Sequence, residues 1–178
     1  MIGVFDSGSG GLTVLKEIRT RLPHADIVYF GDIKNAPYGP RSKEELLSLT
    51  GNALTFLQQH GVTHYVSACN SVSTSLALSL LDTLAIEHGQ MIEMVGPTVR
   101  SFRESTERIG LVATVATIES GIYQNAFHMI GKEVAAIPIP ELAGAIEAGA
   151  HEEELDRIVN GALSEYTGSF DVLVLACT

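Results

Sequence analysis

Positive charge is scarce in this chain. Its 178 residues carry 11 lysines and arginines against 21 aspartates and glutamates, a formal net charge of −10. That excludes nucleic acid and anionic membrane surfaces as expected partners, since both are polyanions. An anionic small molecule would need local N–H dipoles, because the overall field repels it. Long apolar runs are lacking too, and no stretch approaches the roughly 20 residues of a membrane span. Met1 leads directly into a strand-like run without a basic leader, so no signal peptide is expected and the expected compartment is the cytoplasm. There is no low-complexity tract. His24, His60, His64, His88, His128 and His151 show no ligand spacing, so no metal is expected.

Cysteine is the scarcest reactive residue. Cys69 and Cys177 are the only two. Without a leader they read as reduced thiols rather than a disulfide. A lone cysteine is more often a small buried hydrophobe. These two, however, sit in matching places. Tyr65-Val66 runs into Ala68-Cys69-Asn70-Ser71, and Val172-Leu173-Val174-Leu175 runs into Ala176-Cys177-Thr178. Each is an apolar strand that ends at a thiol. The first continues into a helical pattern, whose N-terminal N–H groups favour a thiolate and an anionic ligand. Upstream lie Ile2-Gly3-Val4-Phe5 and Ile109-Gly110-Leu111-Val112. From Ile2 to Cys69 is 67 positions, and from Ile109 to Cys177 is 68. This spacing predicts an internal duplication with one thiol per half.

Hydrophobic residues make up 46% of the chain, enough for one or two small α/β units. Strands are expected over 1–5, 27–30, 64–68, 91–95, 109–113, 134–139 and 172–176. Helices are expected over 12–22, 43–61, 71–86, 98–104, 117–130, 141–148 and 152–166. Leu12, Leu15, Ile18 and Leu22 form the apolar stripe of the first helix. Ser42-Lys43-Glu44-Glu45 reads as a capping box. Ser73, Ser75, Ala77 and Ser79 suit close packing near a cleft. Strict β/α alternation with short loops implies parallel sheets flanked by helices, with ligands at the carboxyl ends of strands. Asp6, Asp32, Cys69, Thr114 and Cys177 fall at such ends. Gly96-Pro97 is the best boundary, giving a first lobe over 1–95 and a second over 96–178.

Asp6-Ser7-Gly8-Ser9-Gly10-Gly11 is a poor phosphate loop: it lacks the third Gly of GxGxxG and the Walker lysine. Its plain reading is a tight turn. Its functional reading is a ligand-facing loop in which Asp6 orients a thiol and Ser7 donates to a carboxylate. Tyr38-Gly39 is a rigid turn or a binding loop, and Glu147 a solvated helix residue or a functional one.

Several motifs carry a family resemblance. Ile-Gly-Val-Phe-Asp-Ser-Gly-Ser-Gly-Gly-Leu-Thr-Val-Leu at 2–15, Tyr-Phe-Gly-Asp at 29–32, Pro-Tyr-Gly-Pro at 37–40, Ala-Cys-Asn-Ser at 68–71, Ile-Gly-Leu-Val-Ala-Thr at 109–114, Thr-Ile-Glu-Ser at 117–120 and Leu-Ala-Cys-Thr at 175–178 resemble the glutamate racemases. The resemblance runs the whole chain in order. It implies an α/β fold of two pseudo-symmetric lobes, each a parallel sheet flanked by helices, with the active site in the cleft between them. It implies cofactor-independent racemisation of glutamate for peptidoglycan synthesis, with no cofactor and a small-molecule substrate; a homodimer is left open. Cys69 and Cys177 match the two catalytic thiols, Asp6 the carboxylate beside the first, and Glu147 a carboxylate beside the second. Ser7, Tyr38, Gly39, Asn70, Ser71 and Thr178 match substrate-binding positions, joined by Thr114 and Thr117 in the matching motifs.

Two thiols on opposite faces of an α-carbon can remove and return its proton in one bound geometry. Their pKa values are expected to shift toward neutrality at helix N-termini. Ser71 and Val72 depart from the usual Thr and Ala, and Ile33-Lys34-Asn35-Ala36 departs from the usual loop. The family has a His directly after Cys-Thr and a further segment that completes the first lobe, so a truncated chain is expected. Competing readings are an aspartate or hydantoin racemase, a decarboxylase, which needs one thiol only, and an inactive fragment that binds an acidic ligand.

Overall fold

The computed structural model describes residues 1–76 and 78–178. β1 (Ile2–Asp6) is a central strand. It pairs in parallel with β2 (Ile27–Gly31) on one side and β3 (His64–Ser67) on the other. The short β4 (Met91–Ile92) extends this sheet beyond β3, giving the order β2-β1-β3-β4. A second sheet repeats the plan. There β5 (Ile109–Ala113) lies between β6 (Val134–Pro138) and β7 (Val172–Ala176), again all parallel.

The register repeats as well. Ile2 stands opposite Ile27 and His64, and Ile109 stands opposite Val134 and Val172. Because the two central strands pair with partners at nearly the same sequence offsets, the segments after β3 and β7 emerge at equivalent corners. Cys69 and Cys177 occupy those corners.

Helices α1 (Leu12–Arg21) and α2 (Lys43–Gln59) follow β1 and β2. α2 starts at the expected capping box: Glu45 N–H donates to Ser42 Oγ at 3.2 Å, and Ser42 N–H donates to Glu45 Oε2 at 2.9 Å. Its buried face is Leu46, Thr50, Ala53, Leu54 and Leu57. Leu46, Ala53, Leu54 and Leu57 meet Phe5, Tyr65 and Val72 in the core of the first half, while Thr50 Oγ1 pairs with Ser75 Oγ at 2.9 Å. Leu54 and Leu57 are fully enclosed, and burial of each contributes roughly 1.5–3 kcal/mol. The second sheet is covered on both faces. On one side α5 (Val95–Ser101) and α7 (Ile122–His128) supply Val95, Val99, Tyr123 and Phe127 against Leu111 and Val174. On the other, α8 (Leu142–Glu147) and α9 (Glu152–Leu163) pack on Val112, Ile137 and Ile139.

Four expectations are corrected. The helix expected over 71–86 is divided into α3 (Asn70–Ser73) and α4 (Leu78–Thr83). Hydroxyls beyond the end of α3 bond back to the chain: Thr74 Oγ1 donates to Ser71 O at 2.7 Å and Ser75 Oγ to Val72 O at 2.8 Å. Ser73 and Ser75 are buried as expected, Ser79 is exposed, and Ala77 lies outside the described residues. The helix expected over 117–130 is likewise two, α6 (Val115–Glu119) and α7, separated by Gly121 at φ +67°. A left-handed residue stops the helical ladder, and glycine takes that conformation without strain. The strand expected over 91–95 is only Met91–Ile92, because Val95 already opens α5, whose first turn also holds the boundary pair Gly96-Pro97, where proline's missing N–H costs nothing. Finally, the stripe on α1 is only partly covered. Leu15 and Ile18 are half-buried, whereas Leu12 and Leu22 are about half exposed, at 49% each.

Candidate active site

A cleft of about 310 Å³ opens at the carboxyl ends of β1, β3, β5 and β7. Asp6, Ser7, Tyr38, Gly39, Cys69, Asn70, Ser71, Thr114, Glu147, Cys177 and Thr178 all line it. Of the residues expected from the sequence, Thr117 alone does not. It is fully buried, and its hydroxyl stands 3.1 Å behind that of Thr114. The remaining wall is apolar, made by Val112, Ile139, Leu142, Ile146 and Leu175.

The glycine loop after β1 closes on its own aspartate. Asp6 is buried, and its Oδ2 accepts the N–H groups of Gly8 and Gly11, each at 3.0 Å. Thr178 Oγ1 lies 3.5 Å from Asp6 Oδ1 and donates to Ala68 O at 2.6 Å. The end of β7 is thereby drawn against the loop. A Cβ on Gly10 would overlap the Thr178 carbonyl, so only glycine permits this approach. Among the described residues no hydrogen bond joins Asp6 to either thiol, but its charge bears on both and raises their pKa values. Burial raises its pKa above the usual carboxylate range, against the lowering effect of the loop N–H groups.

Cys69 is buried at the N-cap of α3, and its Sγ donates to Ser7 Oγ at 3.4 Å. Ser7 thus accepts from the thiol, which leaves its own O–H as a donor at the cleft. Cys177 is exposed along the cleft. Neither thiol is drawn toward neutrality, contrary to expectation. Burial pushes the Cys69 thiol up, and the Asp6 charge adds to this; the Ser7 hydroxyl and the Val72 and Ser7 N–H groups only partly offset them. The Cys177 thiol is pushed up to about 11, first by the protein packed around it and then by Cys69, Asp6 and Glu147. α3 has four residues, so its aligned dipoles are too few to overcome an acidic cleft.

Glu147, at the end of α8, reaches across to the glycine loop. Its Oε1 accepts from Ser9 N–H at 3.1 Å and Ser9 Oγ at 3.2 Å. Sequence reasoning missed Ser9 as its holder, although Ser9 lay inside the motif. Tyr38 is buried with its ring on the cleft, and its hydroxyl is engaged by Asp32 Oδ2 at 2.7 Å. Asp32 also accepts from Asn35 Nδ2 at 2.8 and 2.9 Å. It shapes the loop and does not line the cleft.

The two sheets meet through polar contacts beside the thiols. Ser71 Oγ and Thr114 Oγ1 are 2.9 Å apart, Ala116 N–H donates to Gly39 O at 3.4 Å, and Tyr123 OH donates to Asn70 Oδ1 at 2.6 Å. Tyr123 was also missed; 53 positions separate it from its partner, and no local pattern marks it. Among the described residues no group of three His, Cys, Asp or Glu is placed to hold a metal ion, and no helix is long and apolar enough to cross a membrane.

This arrangement has known counterparts. The profile of the Asp/Glu/Hydantoin racemase family matches residues 12–178. The chain belongs to that family. It is 40% identical over 180 residues to a glutamate racemase of Aquifex aeolicus, covering 99% of this chain and 70% of that one. Among solved structures, a glutamate racemase of Bacillus anthracis superposes with a TM-score of 0.86 at 35% identity, covering 99% of this chain and 68% of the other. A glutamate racemase of Francisella tularensis, solved in complex with D-glutamate, does so at 0.85 and 32%, covering 99% and 67%. Family membership makes the chain an amino-acid racemase by descent, on the two-sheet α/β architecture expected from the sequence.

Proposed function

We propose that the protein interconverts L- and D-glutamate, with Cys69 and Cys177 as the two acid/base groups and no cofactor in the reaction. The observation that carries this reading is that the two cysteines of the chain, one from each repeated βα unit, line a single cleft between two carboxylates. The substrate named for the relatives supports glutamate over other amino acids.

The chemistry follows from the site. Both thiols rest protonated, because the surroundings disfavour a further negative charge. A glutamate entering the cleft brings an ammonium group, and that positive charge offsets Asp6, Glu147 and the developing thiolate. One thiol then gives its proton to the carboxylate nearest it. Asp6 is suited to receive it, since burial raises its proton affinity. The thiolate removes the α-proton, and the C–H electron pair stays on carbon. The opposite thiol delivers its own proton to the other face, and the two sulfurs end with exchanged protonation states. Asp6 and Glu147 reset them. Asn70, Ser71, Thr114 and Thr178 supply polar groups for the carboxylates, and exclusion of water along the apolar wall strengthens each of these contacts. D-glutamate formed in this way serves peptidoglycan synthesis in the cytoplasm.

Cys69→Ser and Cys177→Ser each abolish racemisation in this scheme. Each variant retains exchange of the α-proton with deuterated water from one enantiomer, and the two prefer opposite enantiomers. Assaying wash-in with L- and D-glutamate, and with aspartate alongside, tests both mechanism and substrate. Normal racemisation by either single variant would falsify the two-thiol reading.

A further inference from the structure

We infer that Tyr123 is a positioning residue, whose phenol holds the side-chain amide of Asn70 with its NH2 end toward the cleft to receive a substrate carboxylate. The inference rests on the racemase reading of the cleft and adds to it a residue that does not line the cavity. Tyr123 is on α7 of the second half, 1% exposed. Asn70 opens α3 of the first half, 4% exposed, and lines the cleft. The hydrogen bond between them is 2.6 Å long and buried.

The chemistry of an amide makes this contact matter. Asn presents an acceptor oxygen at one end and an NH2 donor at the other, and the two ends are nearly the same shape. A carboxylate can accept only from the NH2 end. An unrestrained Asn70 could turn either end toward the cleft, and half of those orientations would repel the ligand. A phenol that donates to Oδ1 selects the productive one. Among the described residues, no side-chain hydrogen bond engages Asn70 Nδ2.

Tyr123 is fixed well enough for this task. Its ring stacks on Phe127 at 6.4 Å, and Phe127 meets Phe102 edge-on at 5.8 Å. Gly121, at φ +67°, turns the chain so that α7 starts in a new direction and carries Tyr123 to the interface. Burial pushes the phenol up to about 12, so it keeps its proton and remains a donor throughout the working pH range. The contact also crosses between the halves, beside the Ser71–Thr114 pair. The grip on the carboxylate therefore depends on how the halves are set against each other.

Tyr123→Phe removes one hydroxyl and keeps the ring and its stacking. The expected result is a KM for both glutamate enantiomers raised about tenfold, with kcat within about twofold and the melting temperature little changed. Asn70→Ala raises KM comparably, and the double variant is no worse than Asn70→Ala alone, because the phenol acts only through that amide. The side-chain NH2 signal of Asn70 in ligand-free protein, identified by its loss in Asn70→Ala, shifts in Tyr123→Phe. An unchanged KM in Tyr123→Phe, an undiminished penalty in the Asn70→Ala background, or an unmoved Asn70 signal overturns the inference while leaving the racemase reading intact. Wild-type protein that does not racemise glutamate overturns both.

Discussion

The resting state of the thiols is open to direct measurement at Cys177. An unperturbed cysteine in the cleft would titrate near 9.0, and its surroundings push it up to about 11. Two units correspond to about a hundredfold smaller thiolate fraction at any pH well below 9. The thiolate that does form is more basic and more nucleophilic, which with a Brønsted slope of about 0.4–0.5 returns somewhat less than tenfold. Alkylation of Cys177 near pH 7.5 should therefore run about tenfold slower than that of a free cysteine peptide. Since Cys177 is exposed along the cleft, retained hydration moderates this figure and does not reverse it. The assay is iodoacetamide labelling from pH 7 to 11, with the Cys177 peptide followed by mass spectrometry. The rate should still be climbing at pH 10.

The neighbouring carboxylates provide a second arm with a definite sign. Glu147 and Asp6 are negative, so they disfavour a thiolate and raise the Cys177 pKa. Removing one of those charges must lower it. In Glu147→Gln the rising limb of the labelling profile should move to lower pH, with faster labelling near neutrality. A Cys177 rate that levels off below pH 9 in the wild type, or a limb that moves to higher pH in Glu147→Gln, refutes the view that this cleft rests fully protonated. The racemase scheme would then need no help from the substrate's ammonium group.

Two further outcomes separate the site from the scaffold. A Cβ on Gly8 would overlap Glu147 Oε1 and lie 3.2 Å from its Cδ; Gly8→Ala should displace this flexible carboxylate from Ser9 and lower kcat about tenfold or more, with a melting temperature within a few degrees of wild type. Gly110→Ala acts on the central strand of the second sheet, where the new Cβ would lie 2.7 Å from Phe170 Cδ1 and 3.0 Å from Leu173 Cδ1; overpacking of about 1–3 kcal/mol should lower the melting temperature by roughly 2–4 °C per kcal/mol, as read by a circular-dichroism melt.

The parts of this molecule written along the chain were legible in it. Alternating apolar strands and helical periods gave seven strands, six of them close to their observed bounds and the fourth cut short at Ile92 where α5 begins early, and the parallel pairing followed from the alternation. The repeat was visible because a duplicated strand plan preserves the spacing from central strand to thiol: 67 and 68 positions in sequence become equivalent corners in two sheets. The capping box at Ser42 was legible because both of its partners lie within one helical turn. Helix continuity was harder to read. An apolar period persists through Ser71–Ile86 and through Thr117–Ile130, yet α3 ends at Ser73, beside hydroxyls that bond back to the chain, and the second segment breaks at the left-handed Gly121.

What the chain could not display are the contacts made only when the two halves face each other. Glu147 could be placed near a thiol by resemblance, but its attachment to Ser9 joins residues 138 positions apart. The thiol pKa values were misjudged for the same reason. A helix N-terminus is visible in sequence and argues for a thiolate, whereas the burial and the converging carboxylates that outweigh it exist only in the folded cleft. Net charge had already pointed the same way: an acidic chain that gathers two carboxylates around two thiols cannot also stabilise a resting thiolate without a cation nearby. The acidity that makes this cleft a poor place for an isolated anion makes it a good place for the ammonium of an amino acid, and the same charge balance links substrate entry to activation of the sulfur.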